Sequence, residues 1–337
     1  MQTKTQILRT LLQSGCIVVG AGLFSSMHCA EPEPSRKPAR HSRDVTTAVQ
    51  KALPYLWEEG ERWIDERGCV SCHQVPLMVW SLKVAKDSGF AVDTNRLQGH
   101  KQWSVRPESF DAPEEGESFQ LASALKGNTD TMSMLLLGLG DDGVSDAKWE
   151  MTFSEALIAN QKKNGLWDAC GQLPAQKRPL EETNRVSSMW VVLALLRQGY
   201  GIQEFNINSS LFENTSAVST ECCAAHLLLA EFVNTNTLQE RTKDLLDRQK
   251  TDGGWGWISE QPSDALATGI ALYALRAAGE ADGLAAALKA GEQFLVQTQL
   301  KDGSWRVPGT KRKADNQPTE TANYWGTAWA VVGLLEK

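Results

Sequence analysis

The chain has 337 residues, of which 42% are hydrophobic and 22% are charged, so it has the composition of a globular protein with one large domain or two medium ones. Its net charge is −7, and residues 1–30 hold two basic and no acidic side chains, which leaves −9 for the remainder. An acidic protein repels phosphate backbones, so the composition argues against nucleic acid as a partner.

Residues 1–30 have the pattern of a secretory signal peptide. Lys4 and Arg9 precede an apolar run around 16–24, small residues follow, and the stretch contains no acid. It is too short and too interrupted for an ordinary membrane-spanning helix, although an uncleaved N-terminal anchor is an alternative. We therefore expect an exported protein in the periplasm or another extracytoplasmic space. His28 fits the small-residue rule poorly, so the sequence does not fix the cleavage point.

Residues 31–45 are rich in proline and charge and predict a flexible linker. Residues 46–337 show helical periodicity without sustained strand alternation. Helices with one apolar stripe alternate with helices that are apolar nearly all round. The pattern predicts outer/inner helix pairs at 46–67/74–88, 112–126/129–139, 147–162/184–198, 203–213/217–233, 236–250/263–278 and 284–299/320–336.

The string Cys69-x-x-Cys72-His73 follows the first outer helix, within GCVSCHQ. Two thiols at this spacing add across the vinyl groups of a haem, and the adjacent imidazole ligates the iron. Such attachment takes place outside the cytoplasm, where the predicted signal peptide would deliver the chain. We predict a covalent c-type haem on Cys69 and Cys72, with His73 as axial ligand.

Other interpretations of this string stay open. Cys69 and Cys72 could form a disulfide or a redox pair, with His73 lowering a thiol pKa. The same three residues could bind a metal, or the short string could be a coincidence. An open sixth position on the iron is also an alternative. The side chains considered as second axial ligand are His100, Met132, Met134 and His226.

Three copies of Gln-x-x-x-Gly-x-Trp indicate an internal repeat. They begin at Gln161, Gln249 and Gln299, which gives a period of about 45 residues with one degenerate copy between the first two. Glycine permits the positive φ that ends a helix. We expect each tryptophan to lie over the turn and the glutamine amide, and so to fasten one outer helix to its neighbour.

At these motifs the sequence resembles the terpenoid cyclase and protein prenyltransferase superfamily, most closely squalene–hopene cyclase-like domains. The resemblance covers roughly 46–337 and implies an all-α (α/α)6 toroid, a single barrel of about six outer/inner helix pairs around an apolar cavity. Aligning the first helix pair with the last places Cys69–His73 where a Gln-Trp motif would otherwise stand, at the rim of the ring.

Cyclases of this family protonate an alkene with an Asp-x-Asp-Asp-Thr-Ala motif, and this chain lacks it. The nearest candidates for a catalytic acid are Asp264 and Glu320, each at the start of an inner helix. Asp130 and Glu221 occupy similar places. A single carboxylate at such a position is also what N-capping and the helix dipole favour.

The prenyltransferase branch uses a zinc site, which raises an alternative metal site at Cys222, Cys223 and His226. Cys222 and His226 are four residues apart on one predicted inner helix and would share a face, but a further ligand is not evident. Core packing is the competing interpretation. Cys170 stands alone in a predicted loop.

Aromatic and methionine side chains on the inner helices would line a cavity or fill a core. These are Trp190, Tyr273, Tyr324, Trp325, Trp329, Met132, Met134 and Met189.

The main hypothesis is an exported toroid that carries one c-type haem and acts in electron transfer or in redox chemistry on an apolar, isoprenoid-like ligand. Its expected partners are an apolar small molecule or a redox protein, with peripheral membrane contact as a further expectation. The alternatives are a squalene–hopene cyclase-like isomerase of terpenoid or hopanoid metabolism, and a non-catalytic scaffold that binds an apolar ligand or a protein.

Overall fold

The computed structural model describes the backbone of residues 42–70, 74–110, 121–140, 148–207, 211, 217–233, 235–279 and 283–336. All of them belong to one unit, Pro38–Lys337. Within these ranges no helix combines the length and the apolarity that a membrane crossing requires. The predicted signal peptide at 1–30, most of the linker at 31–45, and Cys72 and His73 lie outside the described residues.

The described residues form α-helices joined by loops and short 3-10 turns. The helices are α1 (Arg43–Arg67), α2 (Gln74–Asp87), α3 (Thr94–Ser104), α4 (Leu121–Lys126), α5 (Thr129–Leu139), α6 (Lys148–Ala159), α7 (Leu180–Arg197), α8 (Thr220–Val233), α9 (Leu238–Leu246), α10 (Ala265–Ala277), α11 (Leu284–Thr298) and α12 (Glu320–Leu335).

Six of these helices form a closed inner ring. In ring order they are α2, α5, α7, α8, α10 and α12, and each packs against the next. The ring closes because α12 also packs against α2. The amphipathic helices α1, α9 and α11 lie outside the ring: α1 packs against α2 and α12, α9 against α8 and α10, and α11 against α10 and α1. The predicted fold class, an all-α (α/α)6 toroid, is confirmed.

The predicted outer helix at 203–213 is not formed over its described first part. A 3-10 turn covers Ile202–Glu204, and the chain is extended at Phe205, with φ −141° and ψ 147°. Phe205 is buried there, and the next carbonyl, of Asn206, accepts a hydrogen bond from the Gln161 amide. The Asn206 carbonyl, which in a helix would accept a backbone hydrogen bond, thus accepts the bond from the first repeat motif instead. The helix α3 was not predicted.

The three repeat motifs share one geometry, in which the glutamine amide makes the bond to the next outer segment and the tryptophan bonds back to its own outer helix. The Gln299 Nε2 donates to the carbonyl of Gly303 at 2.9 Å and to that of Ala48 in α1 at 2.8 Å. The Trp305 Nε1 donates to the Leu295 carbonyl, inside α11, at 2.8 Å. The other two motifs repeat these bonds. In the first motif, Gln161 donates to the carbonyls of Gly165 and Asn206, and Trp167 to that of Leu157. In the second, Gln249 donates to the carbonyls of Gly253 and Ala287, and Trp255 to that of Leu245. Each motif therefore ties the end of one outer segment to the next.

A second set of repeated bonds fixes each motif to its inner helix. The backbone N–H of Trp305 donates to the Thr327 hydroxyl, and that of Val307 to Asn323 Oδ1 at 2.8 Å. In the first motif, the N–H groups of Trp167 and Ala169 donate to the Ser188 hydroxyl and to Asn184 Oδ1. In the second, those of Trp255 and Trp257 donate to the Thr268 hydroxyl and to Asp264 Oδ2. Asp264 therefore stands where two other repeats have asparagine.

Candidate functional site

The described part of the Cys69 string lies at the end of α1, on the rim of the ring. Gly68 caps the helix in the left-handed region at φ 62°, and the half-buried Cys69 follows. The indole Nε1 of Trp63 donates to the Cys69 carbonyl at 3.1 Å. Val70 is buried, and its N–H donates to the Ser109 carbonyl at 2.7 Å. The chain is thus held firmly where it enters the string.

The chain is held equally well where it leaves the string. Gln74 is the first residue of α2 and directly follows His73. The Tyr324 hydroxyl donates to the Gln74 carbonyl at 3.1 Å, and the Trp325 Nε1 donates to Gln74 Oε1 at 2.9 Å. Aromatic side chains of α1 and α12 therefore fix both ends of the segment 69–74.

A cavity of about 110 Å³ adjoins these two fixed ends, and we call it the rim cavity. Trp63 and Trp325 contribute aromatic rings to its wall, and polar side chains contribute amide and hydroxyl groups. The lining residues are Trp63, Gln74, Gly127, Asn128, Thr131, Cys170, Gly171, Gln172, Leu173, Thr321 and Trp325. None of the four side chains considered as a second axial ligand, His100, Met132, Met134 and His226, is among them.

The middle of the ring, which we call the central chamber, is nearly filled. Its volume is about 30 Å³, enough for one or two water molecules. In its wall Trp329 contacts the rings of Trp80, Trp190 and Tyr273, with centroid separations of 5.3, 5.9 and 5.7 Å. Pockets that bind drug-sized ligands enclose about 300–1,000 Å³, so the chamber in this state is about tenfold too small for a polyprenyl chain.

A buried ion pair lies at the chamber wall. The Arg178 guanidinium is 1% exposed and donates to Glu221 Oε2 at 2.7 Å. It also lies over the Trp257 ring, 5.2 Å from the centroid, and donates to the Ser219 hydroxyl. The Trp190 Nε1 donates to the other oxygen of Glu221 at 2.9 Å. Arg178, Glu221 and Trp190 each have a specific hydrogen-bond partner, as burial of charge demands, whereas the buried Trp257 Nε1 has none.

Two loops meet over the chamber, and we call their junction the clasp. Residues 170–179 precede α7 and residues 308–316 precede α12, the third and sixth helices of the ring, so the loops come from opposite sides. The Lys177 N–H donates to the Thr310 carbonyl at 2.9 Å. Arg312 donates to the carbonyls of Gln176 and Pro174 at 2.7 and 3.1 Å. Leu173, Gln176 and Arg178 of the first loop line the chamber, so the clasp covers it.

The two candidate acids occupy different environments. Asp264 is buried and caps α10, its Oδ1 accepting from Ala267 N and its Oδ2 from Trp257 N. Glu320 is exposed in the first turn of α12. Among the described residues, the acids that line the chamber are Asp130 and Glu221. The structure therefore does not bring Asp264 and Glu320 together at the chamber.

The raised pKa of Asp264 gives a prediction about pH. Burial raises that pKa to about 6, whereas the ordinary value is 3.8. The folded state therefore binds the proton more tightly, so this carboxyl contributes stability that is full below about pH 4 and is lost as pH rises through about 6. We expect the loss to be about 2–3 kcal/mol between pH 4 and 7. Urea unfolding of wild type and Asp264→Asn at both pH values checks this, because the variant should lack that part of the pH dependence; parallel pH curves would contradict it.

Asp130 is engaged by a cysteine. Its Oδ2 accepts from the Cys170 N–H at 3.0 Å and from the Cys170 Sγ at 3.1 Å. Burial and the Asp130 carboxylate raise the pKa of Cys170 to about 12. Cys170 is therefore a neutral thiol that donates to Asp130 and holds the first clasp loop against α5.

Cys222, Cys223 and His226 all lie on α8, as predicted, and all are buried in the core. Burial lowers the pKa of His226 to about 4 and raises that of Cys223 to about 11; it also raises the pKa of Cys222. Over the described part of the chain, no group of three or more His, Cys, Asp or Glu side chains could hold a metal ion. Core packing therefore accounts for these residues, and the alternative metal site gains no support.

The aromatic and methionine side chains of the inner helices divide between lining and core. Trp190, Trp325, Trp329 and Met134 line the chamber. Tyr273 and Tyr324 are buried against other elements, and Met132 and Met189 are fully buried. Sequence reasoning missed Arg178, Leu173 and Gln176. They lie in the loop between the first repeat motif and α7, and no sequence pattern singled them out.

Comparison with known proteins supports the fold. No protein family profile matches the sequence. The type II terpene cyclase MstE from Scytonema is similar, with 15% identity and a TM-score of 0.54 over 87% of this chain and 98% of that one. A variant of MstE in complex with its substrate geranylgeranyl dihydroxybenzoate gives 15% identity and a TM-score of 0.54 over 87% of this chain and 97% of that one. A protein from Actinoplanes has 15% sequence identity and a TM-score of 0.54 over 86% of this chain and 98% of that one. The chain thus has a terpene cyclase-like helical toroid fold.

Proposed function

We propose that this chain is an exported redox protein built on a terpene cyclase-like toroid, with a c-type haem attached through Cys69 and Cys72 and ligated by His73. The observation that carries the proposal is the position of Cys69, at a helix end on the rim and beside the rim cavity. The central chamber, where a cyclase would act, has about 30 Å³. The chemistry therefore belongs at the rim.

The described surroundings fit such a group. Cys69 is half-buried and lies just after the end of α1, outside the buried core. The adjoining wall carries the indoles of Trp63 and Trp325, which suit the edge of a flat apolar macrocycle. A bound c-type haem supplies one-electron redox chemistry. The rim cavity, at about 110 Å³, would enclose only part of it.

The work of this chain's own residues is to hold the attachment segment. Trp63 fixes the Cys69 carbonyl, and Tyr324 and Trp325 fix Gln74. A segment whose ends are fixed loses little further entropy when it takes up a group, which favours binding.

An apolar, isoprenoid-like molecule is the proposed ligand of this redox protein. Complexes of MstE contain geranylgeranyl dihydroxybenzoate and merosterolic acid A, a substrate and a product with isoprenoid parts. In this chain the apolar side chains around the central chamber, including Leu77, Met134 and Ile270, would suit a ligand of the same character once the clasp has opened.

Haem attachment can be tested directly. The full-length chain is expressed in a bacterium with c-type haem maturation machinery, and the purified protein is stained for haem after reducing, denaturing electrophoresis. We expect a stained band for wild type and its loss in Cys72→Ser. Cys223→Ser is the matched control, because Cys223 lies on α8, outside both the string and the lining of the rim cavity, and should leave the stain unchanged. An unstained wild type, or a stained Cys72→Ser, would reject the proposal.

A second candidate function is a cyclase-like isomerase of isoprenoid metabolism. The similarity of fold to a type II terpene cyclase over 87% of the chain favours it. Asp264, whose pKa burial raises to about 6, would then be the proton donor, and the clasp would have to open. Incubation with squalene and with geranylgeranyl dihydroxybenzoate should yield a cyclised product that Asp264→Asn fails to form. Binding without any product would instead indicate a scaffold.

A further inference from the structure

Residues 171–177 of the first clasp loop, which we call the flap, lie between two buried anchors. Cys170, before the flap, donates to the Asp130 carboxylate on α5 through both its N–H and its thiol. Arg178, after the flap, is buried and paired with Glu221 on α8. The two ends of the flap are therefore fixed to the inner ring, and only the stretch between them is free to move as a unit.

The flap itself is held by the second clasp loop. The Arg312 guanidinium donates to the carbonyls of Gln176 and Pro174, and the Lys177 N–H donates to the Thr310 carbonyl. Within the described part of the chain, every hydrogen bond that leaves the first clasp loop from residues 171–177 goes to the second. Arg312 supplies two of these bonds and is exposed, so it holds the flap from the outside.

The second clasp loop is the fixed partner of the two. Its ends are joined by the Gly309 N–H, which donates to the Gln317 carbonyl at 2.9 Å. Near its far end, Asn316 Oδ1 accepts from Gln261 Nε2 at 2.7 Å. A loop that is closed on itself and tied to a neighbour keeps its shape, so separation of the two loops would move the flap.

A hinge lies at the start of the flap. Gly171 has φ +58°, and an added Cβ there would meet nothing within 4 Å, so its backbone can rotate without a clash. The 3-10 turn Leu173–Ala175 follows and gives the middle of the flap a shape of its own. Rotation at one or two residues beside a compact turn is the usual geometry of a hinged loop.

Closure of the flap leaves two buried polar atoms without a partner among the described residues. They are Gln176 Oε1, on the flap, and Trp257 Nε1, and both side chains line the central chamber. An unpaired buried donor or acceptor costs free energy that contact with water would recover. The closed state is therefore opposed at the chamber wall and depends on the bonds to the second loop.

We propose that the flap is a hinged lid over the central chamber and that Arg312 is the latch that keeps it shut. Opening breaks the bonds to the second loop, turns the flap about Gly171, and removes Leu173 and Gln176 from the chamber wall, so that the chamber meets solvent. The lid goes beyond the proposed function and does not depend on the haem.

Hydrogen exchange of the purified full-length chain, followed by mass spectrometry, tests the latch. In Arg312→Ala we expect the amides of residues 175–177 to exchange about tenfold faster than in wild type, because two hydrogen bonds from a charged group are lost. The helices α7 and α12 should keep their wild-type rates, since the two anchors remain. Lys313→Ala is the matched control, because it removes the same charge from an exposed neighbouring residue and should behave as wild type.

A cross-link between the loops tests the lid from the opposite direction. Gln176 and Lys311 face each other in an antiparallel bridge, where paired Cβ atoms lie about 4.5–5.5 Å apart, close enough for a disulfide after small adjustment. In Gln176→Cys with Lys311→Cys, oxidation should slow exchange of the flap amides by about tenfold or more, and reduction should restore it.

Four results would overturn the inference: wild-type exchange of the flap in Arg312→Ala, equal acceleration throughout the chain, acceleration in Lys313→Ala, or no slowing on oxidation of the cross-linked variant. Staining the same samples for haem keeps this outcome separate from the proposed function. Unstained protein whose flap responds as expected would refute the haem and support the lid, and stained protein whose flap does not respond would refute the lid alone.

Discussion

Replacing Glu221 with alanine is expected to lower the free energy of unfolding by about 3–5 kcal/mol. The Arg178 guanidinium, 1% exposed, would stay buried without the carboxylate that it contacts at 2.7 Å. The Trp190 Nε1 would lose its acceptor as well. Urea unfolding followed by circular dichroism measures the loss. The effect should exceed that of an exposed ion pair, because the Arg178 guanidinium is almost fully shielded from solvent.

The double variant Arg178→Met with Glu221→Leu is the control for this ion pair. Replacing both partners by apolar side chains of similar size removes the unpaired charge, so the double variant should be clearly more stable than Glu221→Ala. A single variant that loses less than about 1 kcal/mol, the range of an exposed ion pair, would show that the pair is solvated and that the chamber wall is open.

Gly303→Ala is expected to destabilise the protein by about 2–4 kcal/mol. Gly303 has φ +87°, a conformation that an L-residue adopts with strain, and an added Cβ would overlap the carbonyl oxygen of Lys51 in α1. The substitution would therefore separate α1 from the last repeat motif, at the place where the ring closes.

Gly279→Ala is the matched control for Gly303→Ala. Gly279 has φ +78°, and a Cβ there would meet nothing within 4 Å. Its substitution should cost only the backbone strain, about 1 kcal/mol. Thermal unfolding of the two variants side by side measures the difference. Equal losses would mean that the contact between the motif and α1 does not contribute to stability.

Much of the fold follows from local pattern. The alternation of striped and fully apolar helices predicted which helices are inner, because a helix without a polar face must be covered on all sides. Their closure into a ring was what the resemblance to terpenoid cyclases implied. The repeated Gln-x-x-x-Gly-x-Trp predicted a glycine turn at the end of each outer segment, and Gly303 and its two equivalents each provide the required positive φ. Helix ends agree with prediction within a few residues, as for α12 at Glu320–Leu335 against 320–336.

The elements that were predicted wrongly or missed are those whose conformation depends on tertiary contacts. The segment after α7 reads as helical, but Asn206 gives its carbonyl to Gln161, which lies 45 residues earlier in the chain. The helix α3 lacks an apolar stripe, and its only strong signal is the N-cap Asp93, whose side chain accepts from Arg96 N. Neither feature is visible in periodicity.

The candidate site divides in the same way. The string at Cys69 was evident from residue types and spacing alone, whereas the volume of the chamber depends on how Trp80, Trp190 and Trp329 pack together. Arg178 lies in a loop of the sequence, where a charged side chain is ordinarily exposed. Its burial depends on Glu221, 43 residues later, and no local pattern links the two.

The attachment of haem at Cys69 and Cys72 is the central claim, and the mass of one peptide tests it most directly. Trypsin cuts after Arg67 and Lys83, which releases residues 68–83 with the whole string. In protein matured with c-type haem machinery, we predict that this peptide carries the added mass of one haem and that neither cysteine reacts with iodoacetamide after reduction. Recovery of the unmodified peptide, with both thiols alkylated after reduction, would contradict the claim.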